Sequence, residues 1–403
     1  MINMQSFISF SSLRTVSLIG DNAKGFYLPL FIYSISNGNI ALVGLVYMFD
    51  FLPRLFLIPF FGNLADSKNC LWIIRSLESS RVFLLFVWYI FYSFPYIWLI
   101  SPIITVSSGI LMVFYETTAS RILDEKQMIH FQTKSQLLEP AARLIGPMLI
   151  GASLTIFNNR NTIFIIILSY ILTFFINIKT IKIERIKVNF NNFSKKLINL
   201  SVFKFHLSNK YFLMITLAEI LLNLFFGVFQ TLLIPIMRTH YQTSESLSTL
   251  PNILGGIISL LLAYFIPKIM QNKSKIFFAY MGSFCLLMSA ILIASDLGRI
   301  FFSFAFGLLI TGSSLFGIFF RIERVKLIPA EKLGNIFGAN TSILLISAPL
   351  AGGVVYLLEK YFSSLVMLII LSFFCSINII FILFIYQKRM YTKEKAYYLK
   401  KQN

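Results

Sequence analysis

The chain has 403 residues, of which 57% are hydrophobic and only 13% are charged. Soluble domains carry about a quarter charged residues, so this composition excludes an ordinary soluble protein and predicts that lipid surrounds most of the chain. The formal net charge of +19 would indicate a nucleic-acid partner in a soluble protein. Here the Lys and Arg residues fall in short loops and near the C-terminus, which favours membrane topology and excludes nucleic acid.

Apolar segments about 20 residues long, the length that crosses a bilayer, recur along the whole chain. We place twelve of them, with approximate centres at Asp21, Leu55, Trp88, Ile110, Leu144, Ile167, Leu224, Ile258, Leu286, Leu308, Leu345 and Ser372. The longest polar segment follows the sixth and is typical of a linker. The sequence predicts an all-α membrane protein with a six-helix bundle over 1–180, a basic cytoplasmic linker over 181–210, a second bundle over 211–387 and a basic tail over 388–403.

The positive charge is distributed unevenly between alternate loops. The predicted outer loops hold few basic residues: Arg160, Arg238, Arg299 and Lys360. The other loops, the linker and the tail are rich in Lys and Arg, and cytoplasmic loops retain positive charge. We therefore expect both termini in the cytoplasm of a bacterium and the spans in its inner membrane.

Acidic and basic residues stand at helical spacing inside the predicted spans. The three pairs are Asp21 with Lys24, Asp50 with Arg54, and Glu139 with Arg143. Residues three or four apart share a helix face, and pairing offsets the cost of a lone charge at mid-membrane, about 2.5–3.5 kcal/mol. Such a pair either links neighbouring helices or holds a carboxylate that exchanges protons. For the second and third pairs we favour the structural role; Pro53 and Pro140 beside them indicate helix kinks, which equally suit gating pairs.

Two further acids lack a partner at helical spacing. Glu116 lies in the fourth span, and Glu219 lies in the seventh, where Asn223 and Gln230 share its helix face. A lone carboxyl group in a dry bundle favours its neutral form, which suits a proton carrier. The alternative is that Arg121 reaches Glu116 and that Glu219 lies near the lipid headgroups.

A weak internal repeat relates the two halves. The segment Asp124–Gly151 follows the fourth span, and Ala330–Gly353 follows the tenth. Both contain a Glu-Lys dipeptide near their start and a proline in the next span, Pro147 and Pro349. Two repeated six-helix halves are typical of secondary transporters, whose substrate site lies between the halves at mid-membrane.

The run "GNLADS" after the second span, together with twelve spans and a central basic loop, resembles the major facilitator superfamily. Its pattern is G-x-L-A-D-R-x-G-R-[KR], which Gly62, Leu64, Ala65 and Asp66 match, whereas Ser67 replaces the usual Arg. The resemblance implies the major facilitator fold, a first span that lines the cavity, and a gating role for Asp66. It therefore adds Asp21 and Lys24 to the cavity candidates.

Other segments resemble the macrolide-efflux and enterobactin-exporter branch of that superfamily, among them "SLIGDNAKGFYLPLFIY", "LPRLFLIPFFGNLAD" and "ARLIGPMLIG". Gly146 and Pro147 are similar to the start of the antiporter motif, whose paired glycines are missing here. Pro349, Gly352 and Gly353 in the eleventh span have a closer shape. Helix packing alone also accounts for such small residues.

These features predict a proton-coupled exporter of a small amphipathic organic compound, siderophore-like or drug-like, that works by alternating access as a monomer in the bilayer. The alternatives are a proton-coupled importer and a non-transporting sensor or scaffold. Lys24, Arg54 and Arg143 favour a substrate with carboxylates, although each has a local acid. No motif indicates an enzyme, a cofactor or a metal site.

Overall fold

The computed structural model describes residues 4–65, 70–122, 125–180, 208–269, 275–327, 340 and 343–402. These residues contain no β-strand and form the α-helices α1 Met4–Ile35, α2 Ile40–Ala65, α3 Cys70–Ile90, α4 Phe94–Ile122, α5 Glu125–Ile156, α6 Asn159–Thr180, α7 Lys210–Pro235, α8 Leu250–Ile269, α9 Lys275–Ser295, α10 Arg299–Leu327, α11 Ser347–Leu358 and α12 Ser364–Gln402. The predicted linker lies mostly outside the described residues, and α12 continues through the predicted tail.

The helices are long and apolar enough to make the chain a multi-pass membrane protein. Seven described helices meet the length and hydropathy of a membrane span, and three shorter apolar helices accompany them. The predicted number of twelve crossings stays a prediction. Neither α1 nor α3 is among the seven; both carry ionisable residues along their length, Asp21 and Lys24 in α1 and Glu78 and Arg81 in α3. Those two helices supply the centre of the candidate site.

The packing of the first six helices recurs among the last six. In the first half α1 packs on α5 and α6, α2 on α4, and α3 on α4 and α6. In the second half α7 packs on α11 and α12, α8 on α10, and α9 on α10 and α12. The halves meet along two seams, α2 on α11 and α5 on α8. The seams are equivalent, because α8 is the counterpart of α2 in the second half and α11 is the counterpart of α5. Between the seams, α1 contacts α7.

The halves touch closely at the end of the molecule that carries the α1–α2 loop. Three contacts join them there: Gly44 with Gly352, Gly151 with Thr249, and Ser34 with Glu245. A Cβ atom at Gly44 would lie 2.8 Å from the carbonyl oxygen of Gly352, so only glycine permits this approach. The Ser34 hydroxyl donates a hydrogen bond of 2.9 Å to Glu245. We call this end of the molecule the sealed end.

Candidate functional site

A fully buried arginine forms the centre of the candidate site. Arg81 of α3 has no exposed surface and donates from Nη1 to Asp21 of α1 at 3.0 Å. From Nη2 it donates to Glu78, one helical turn away on α3, and to Ser17 of α1 at 3.0 Å. Its guanidinium lies 4.0 Å from the ring centroid of Tyr170. One guanidinium thus joins two carboxylates from different helices.

The local sequence explains how α1, α4 and α6 approach this arginine. Gly20 of α1 makes room for Tyr170 of α6, since a Cβ atom there would lie 2.6 Å from the Tyr170 ring. The Tyr170 hydroxyl then donates to Asp21 Oδ1 at 2.6 Å. From α4, the Ser108 hydroxyl lies 2.6 Å from the same oxygen. Asp21 is therefore held by side chains from three other helices.

The two carboxylates around Arg81 differ in access. Glu78 is fully buried, and its two oxygens are bonded to Arg81 and to the Tyr115 hydroxyl. The Asp21 side chain is 25% exposed. All three of its hydrogen bonds to described residues end on Oδ1, so Oδ2 is the oxygen open to the surroundings. The trio of one cation and two acids carries one surplus negative charge, which a single proton at Asp21 would neutralise.

A second ion pair, between Lys24 of α1 and Asp50 of α2, is closed to solvent. Lys24 Nζ lies 3.0 Å and 3.2 Å from the two Asp50 oxygens, and each residue is 4% exposed. Ser101 and Thr105 of α4 donate to Asp50, and Lys24 also donates to the Ser101 carbonyl at 3.0 Å. Every polar atom of this pair is used, which is the arrangement of a joint between three helices rather than of a binding group.

Two of the three ion pairs predicted from helical spacing are wrong in their partners, and the third, Glu139 with Arg143, stays a prediction. Asp21 does not pair with Lys24, and Asp50 does not pair with Arg54; Lys24 binds Asp50 and Arg81 binds Asp21. Spacing of three or four residues places two side chains on one face, but that face also packs against a neighbouring helix. In this bundle the neighbour brings the opposite charge closer.

Two predicted cations remain outside these networks. Arg54 of α2 is half-buried and packs over Gly109 of α4, and Asp21 and Asp50 act on it electrostatically from beyond salt-bridge distance. Its Nε is buried without a hydrogen bond to any described residue. Arg143 of α5 is exposed, and its guanidinium lies 5.5 Å from the ring centroid of Phe226 in α7, across the gap between the halves.

The other predicted polar residues lie farther from the cluster or outside the described part of the chain. Glu219, Asn223 and Gln230 are half-buried along α7. Glu116 and Glu139 lie in α4 and α5, but their side chains are outside the described part. The proposed roles of these residues stay predictions.

The predicted motif residues fall into two groups. Gly62 lies near the end of α2, and Asp66 lies outside the described residues, so its gating role stays a prediction. The other members lie at contacts between helices or close to them: Gly146, Pro147, Pro349, Gly352 and Gly353. Gly146 brings α5 against the backbone of α1, and Gly352 brings α11 against α2. These contacts favour a packing role for both glycines.

Sequence reasoning missed Glu78 and Arg81. The third span was predicted to centre at Trp88, whereas α3 runs from Cys70 to Ile90 and has Glu78 and Arg81 near its middle. Glu78 and Arg81 stand three apart, the same spacing that singled out the other pairs. The signal was therefore present in the sequence. The predicted centre moved both charges to the edge of the span, away from mid-membrane depth.

Solved structures with the same fold are transporters. The chain is similar to a bacterial homologue of the iron transporter ferroportin in an inward-facing state, with a TM-score of 0.70, 14% identity and coverage of 95% of this chain and 100% of that one. It is also similar to the nucleoside transporter NupG (TM-score 0.70, 13% identity, 94% and 98% covered). A POT family transporter in complex with a thioalcohol-conjugated peptide gives a TM-score of 0.74 at 11% identity, with 95% and 96% covered.

Neither a protein-family model nor a curated protein sequence matches the chain. At identities this low the structural similarity establishes the fold alone. The chain has the all-α fold predicted for it and shares that fold with these three transporters. The resemblance to the macrolide-efflux and enterobactin-exporter branch stays a prediction.

Proposed function

We propose that the chain is a secondary active transporter that exports a small amphipathic organic compound in exchange for protons. The observation that carries the proposal is the open Oδ2 of Asp21 above the fully buried Arg81. A carboxylate held on one oxygen by three donors stays in place while its other oxygen takes up or releases a proton. Transport is the function named for all three structural neighbours, which supports a transporter over a sensor or scaffold.

The cycle follows from the sealed end and the position of Asp21. The Asp21 Cα lies about 21 Å along α1 from the residue that ends the helix, at 1.5 Å per residue, which places it at mid-membrane. With the predicted orientation the sealed end faces outward and the space around Asp21 is reached from the cytoplasm. Rocking the halves about the two seams would open the sealed end and expose Asp21 to outside protons. Proton uptake and compound release are then coupled through one conformational equilibrium.

Untargeted mass spectrometry of cells and medium tests the proposal. A bacterial host expresses the wild type, the Asp21→Asn variant, or the control variant Asp296→Asn, which changes an exposed acid in the α9–α10 turn. We expect one or more compounds to move from cells to medium with the wild type and the control but not with Asp21→Asn at equal protein level. Accumulation inside the cells would mean import, and identical profiles for wild type and empty vector would reject transport.

Proton coupling is tested separately on the purified protein. Liposomes containing the protein and the identified compound are given an inwardly or outwardly directed pH gradient. We expect the wild type to move the compound against its own concentration gradient when the pH gradient drives protons in the opposite direction. In Asp21→Asn we expect this coupled proton movement to be absent. Transport that does not depend on the pH gradient would show that Asp21 is not a proton carrier.

A further inference from the structure

Two arginines near the space between the halves have no counter-ion among the described residues. Lys24 is neutralised by Asp50, and Arg81 by Asp21 and Glu78. Arg54 and Arg143 form no salt bridge with a described residue. A cation at membrane depth without an ion-pair partner marks a candidate functional site, and an anionic ligand is the chemistry that complements it.

The depth of Arg143 follows from the contact between α1 and α5. These helices run in the same direction, because four antiparallel steps separate them along the chain. A Cβ atom on Gly146 of α5 would lie 2.7 Å from the nitrogen of Ala23 and 2.8 Å from the oxygen of Ile19, both in α1. Arg143 precedes Gly146 by three residues, so its Cα lies about 4.5 Å away along the helix, away from the sealed end.

Arg54 of α2 lies at a similar depth. Asp50 of α2 is fixed beside Lys24 by their ion pair. Arg54 follows Asp50 by four residues on a helix that runs opposite to α1, so it lies about 6 Å farther from the sealed end. The two arginines therefore lie on helices that both contact α1, each about one helical turn from the level of Asp21 and Lys24.

The opposite wall is aromatic. Phe226 of α7 faces Arg143 and stacks on Phe306 of α10 with ring centroids 6.0 Å apart. Phe229 continues this stack against Phe306 at 4.7 Å. Phe226 is half-buried, whereas Phe306 and Phe229 are buried behind it. The first half thus offers two cations, and the second half offers the face of an aromatic ring.

We propose that the transported compound is an amphipathic organic anion, whose carboxylate or comparable acidic group binds Arg54 and Arg143 while its apolar body lies against Phe226. The inference rests on the proposed function, since it names the substrate class of the same site. Guanidinium groups bind carboxylates through charge-assisted and often bidentate hydrogen bonds. The anion would supply a direct ion-pair partner to two guanidinium groups that form no salt bridge with a described residue.

Binding to the purified full-length protein tests the substrate class without requiring transport. The probes are naphthoate, its neutral isostere naphthamide, and the naphthylmethylammonium cation, measured by microscale thermophoresis in detergent. We expect naphthoate to bind at least tenfold more tightly than either of the other two probes. Arg143→Gln and Arg54→Gln should each weaken naphthoate binding at least tenfold and leave naphthamide binding unchanged.

The control is Lys360→Gln, which removes an exposed cation just after the C-terminal end of α11. This variant should bind naphthoate as the wild type does. Arg143 is exposed, so Arg143→Gln keeps the test valid should Arg54→Gln fail to fold. Equal binding of naphthoate and naphthamide, or naphthoate binding unaffected by Arg143→Gln, would overturn the inference. So would retention of phosphatidylglycerol in place of naphthoate, seen by native mass spectrometry.

Failure of the inference is distinguishable from failure of the proposed function. Cells that move a neutral or cationic compound through the wild type but not through Asp21→Asn would keep the transporter and reject the anion. Naphthoate binding that depends on Arg54 and Arg143, with no compound moved in either direction, would keep the anion site and reject transport.

Discussion

The buried pair between Lys24 and Asp50 offers the sharpest test of the fold around the site. Replacing Asp50 by Asn leaves the Lys24 ammonium buried without its counter-ion. Lys24 is only 4% exposed, and its remaining partners are the Ser101 carbonyl and the Thr105 hydroxyl, which are neutral. Asp50→Asn therefore removes a charge and keeps the side-chain shape.

The expected loss is large for a single substitution. Removing one partner of a buried ion pair costs about 3–5 kcal/mol, because the other charge stays buried and uncompensated. Replacing both partners by apolar residues of similar size is close to neutral. The double variant Lys24→Met with Asp50→Leu should therefore recover most of the stability, since Ser101 and Thr105 can turn their hydroxyls to carbonyls of their own helix.

The chain carries separate reporters for its two halves. All three tryptophans, Trp72, Trp88 and Trp98, lie in the first six helices, so intrinsic fluorescence follows the melting of that half. Cys285 and Cys375 are buried in the second half and become reactive to a thiol dye when it unfolds. With Cys70→Ser as background, the dye reports the second half alone. Asp50→Asn should lower the tryptophan-monitored midpoint more than the thiol-monitored one.

The matched control is Asp296→Asn, the same chemical change at an exposed acid, which should cost at most about 1 kcal/mol. Equal losses in Asp50→Asn and in the double variant would mean that Lys24 and Asp50 are not coupled, and the assigned pairing would then fail. Equal shifts in both reporters would mean that the halves unfold as one unit.

Three further outcomes follow from the geometry. Gly352→Ala should open the sealed end, raising the labelling of a cysteine placed there at least fivefold, whereas Gly25→Ala, with nothing within 4 Å of the added Cβ, should not. Arg81→Lys should abolish export as completely as loss of Asp21, because an ammonium cannot replace a fork that bridges two carboxylates; the mass-spectrometric assay checks it. Burial, followed by the hydrogen bond to Asp296, raises the pKa of Tyr241. The protonated Tyr241 hydroxyl therefore stabilises the folded state below about pH 10, and this contribution is lost as the pH rises further. Asp296→Asn should show a smaller fall in melting temperature between pH 8 and pH 11 than the wild type.

The order of the helices was predictable from sequence because hydrophobic length is a local property. An apolar segment can be recognised from its own residues alone, and a short polar turn marks where it ends. The turn after α1 shows this directly: Asn37 and Gly38 both have positive φ, at 53° and 85°. The recurrence of helix pairings was indicated by the repeat around Pro147 and Pro349.

The partners of the buried charges were not predictable by the same route. Helical spacing compares residues within one helix, whereas Lys24 and Asp50 stand 26 residues apart, and Asp21 and Arg81 stand 60 apart. Their meeting depends on the depth at which α1, α2 and α3 pack, which no single segment encodes. The hydroxyl donors were missed for the same reason, because Ser101, Thr105 and Ser108 form one stripe of α4 whose acceptors, Asp50 and Asp21, lie on other helices.

Asp21 of α1 and Asp50 of α2 differ in access, and under the proposed function that difference separates a proton carrier from a structural group. Asp50 uses both oxygens and is closed, so neither a proton nor a substrate reaches it without breaking the joint between α1, α2 and α4. Asp21 uses one oxygen and keeps the other open. A rocking motion that preserves each half would leave the first joint intact and change only the surroundings of the second acid. Under the proposed function, one half would then carry both a closed ion pair that joins its helices and an accessible carboxylate oxygen that exchanges protons.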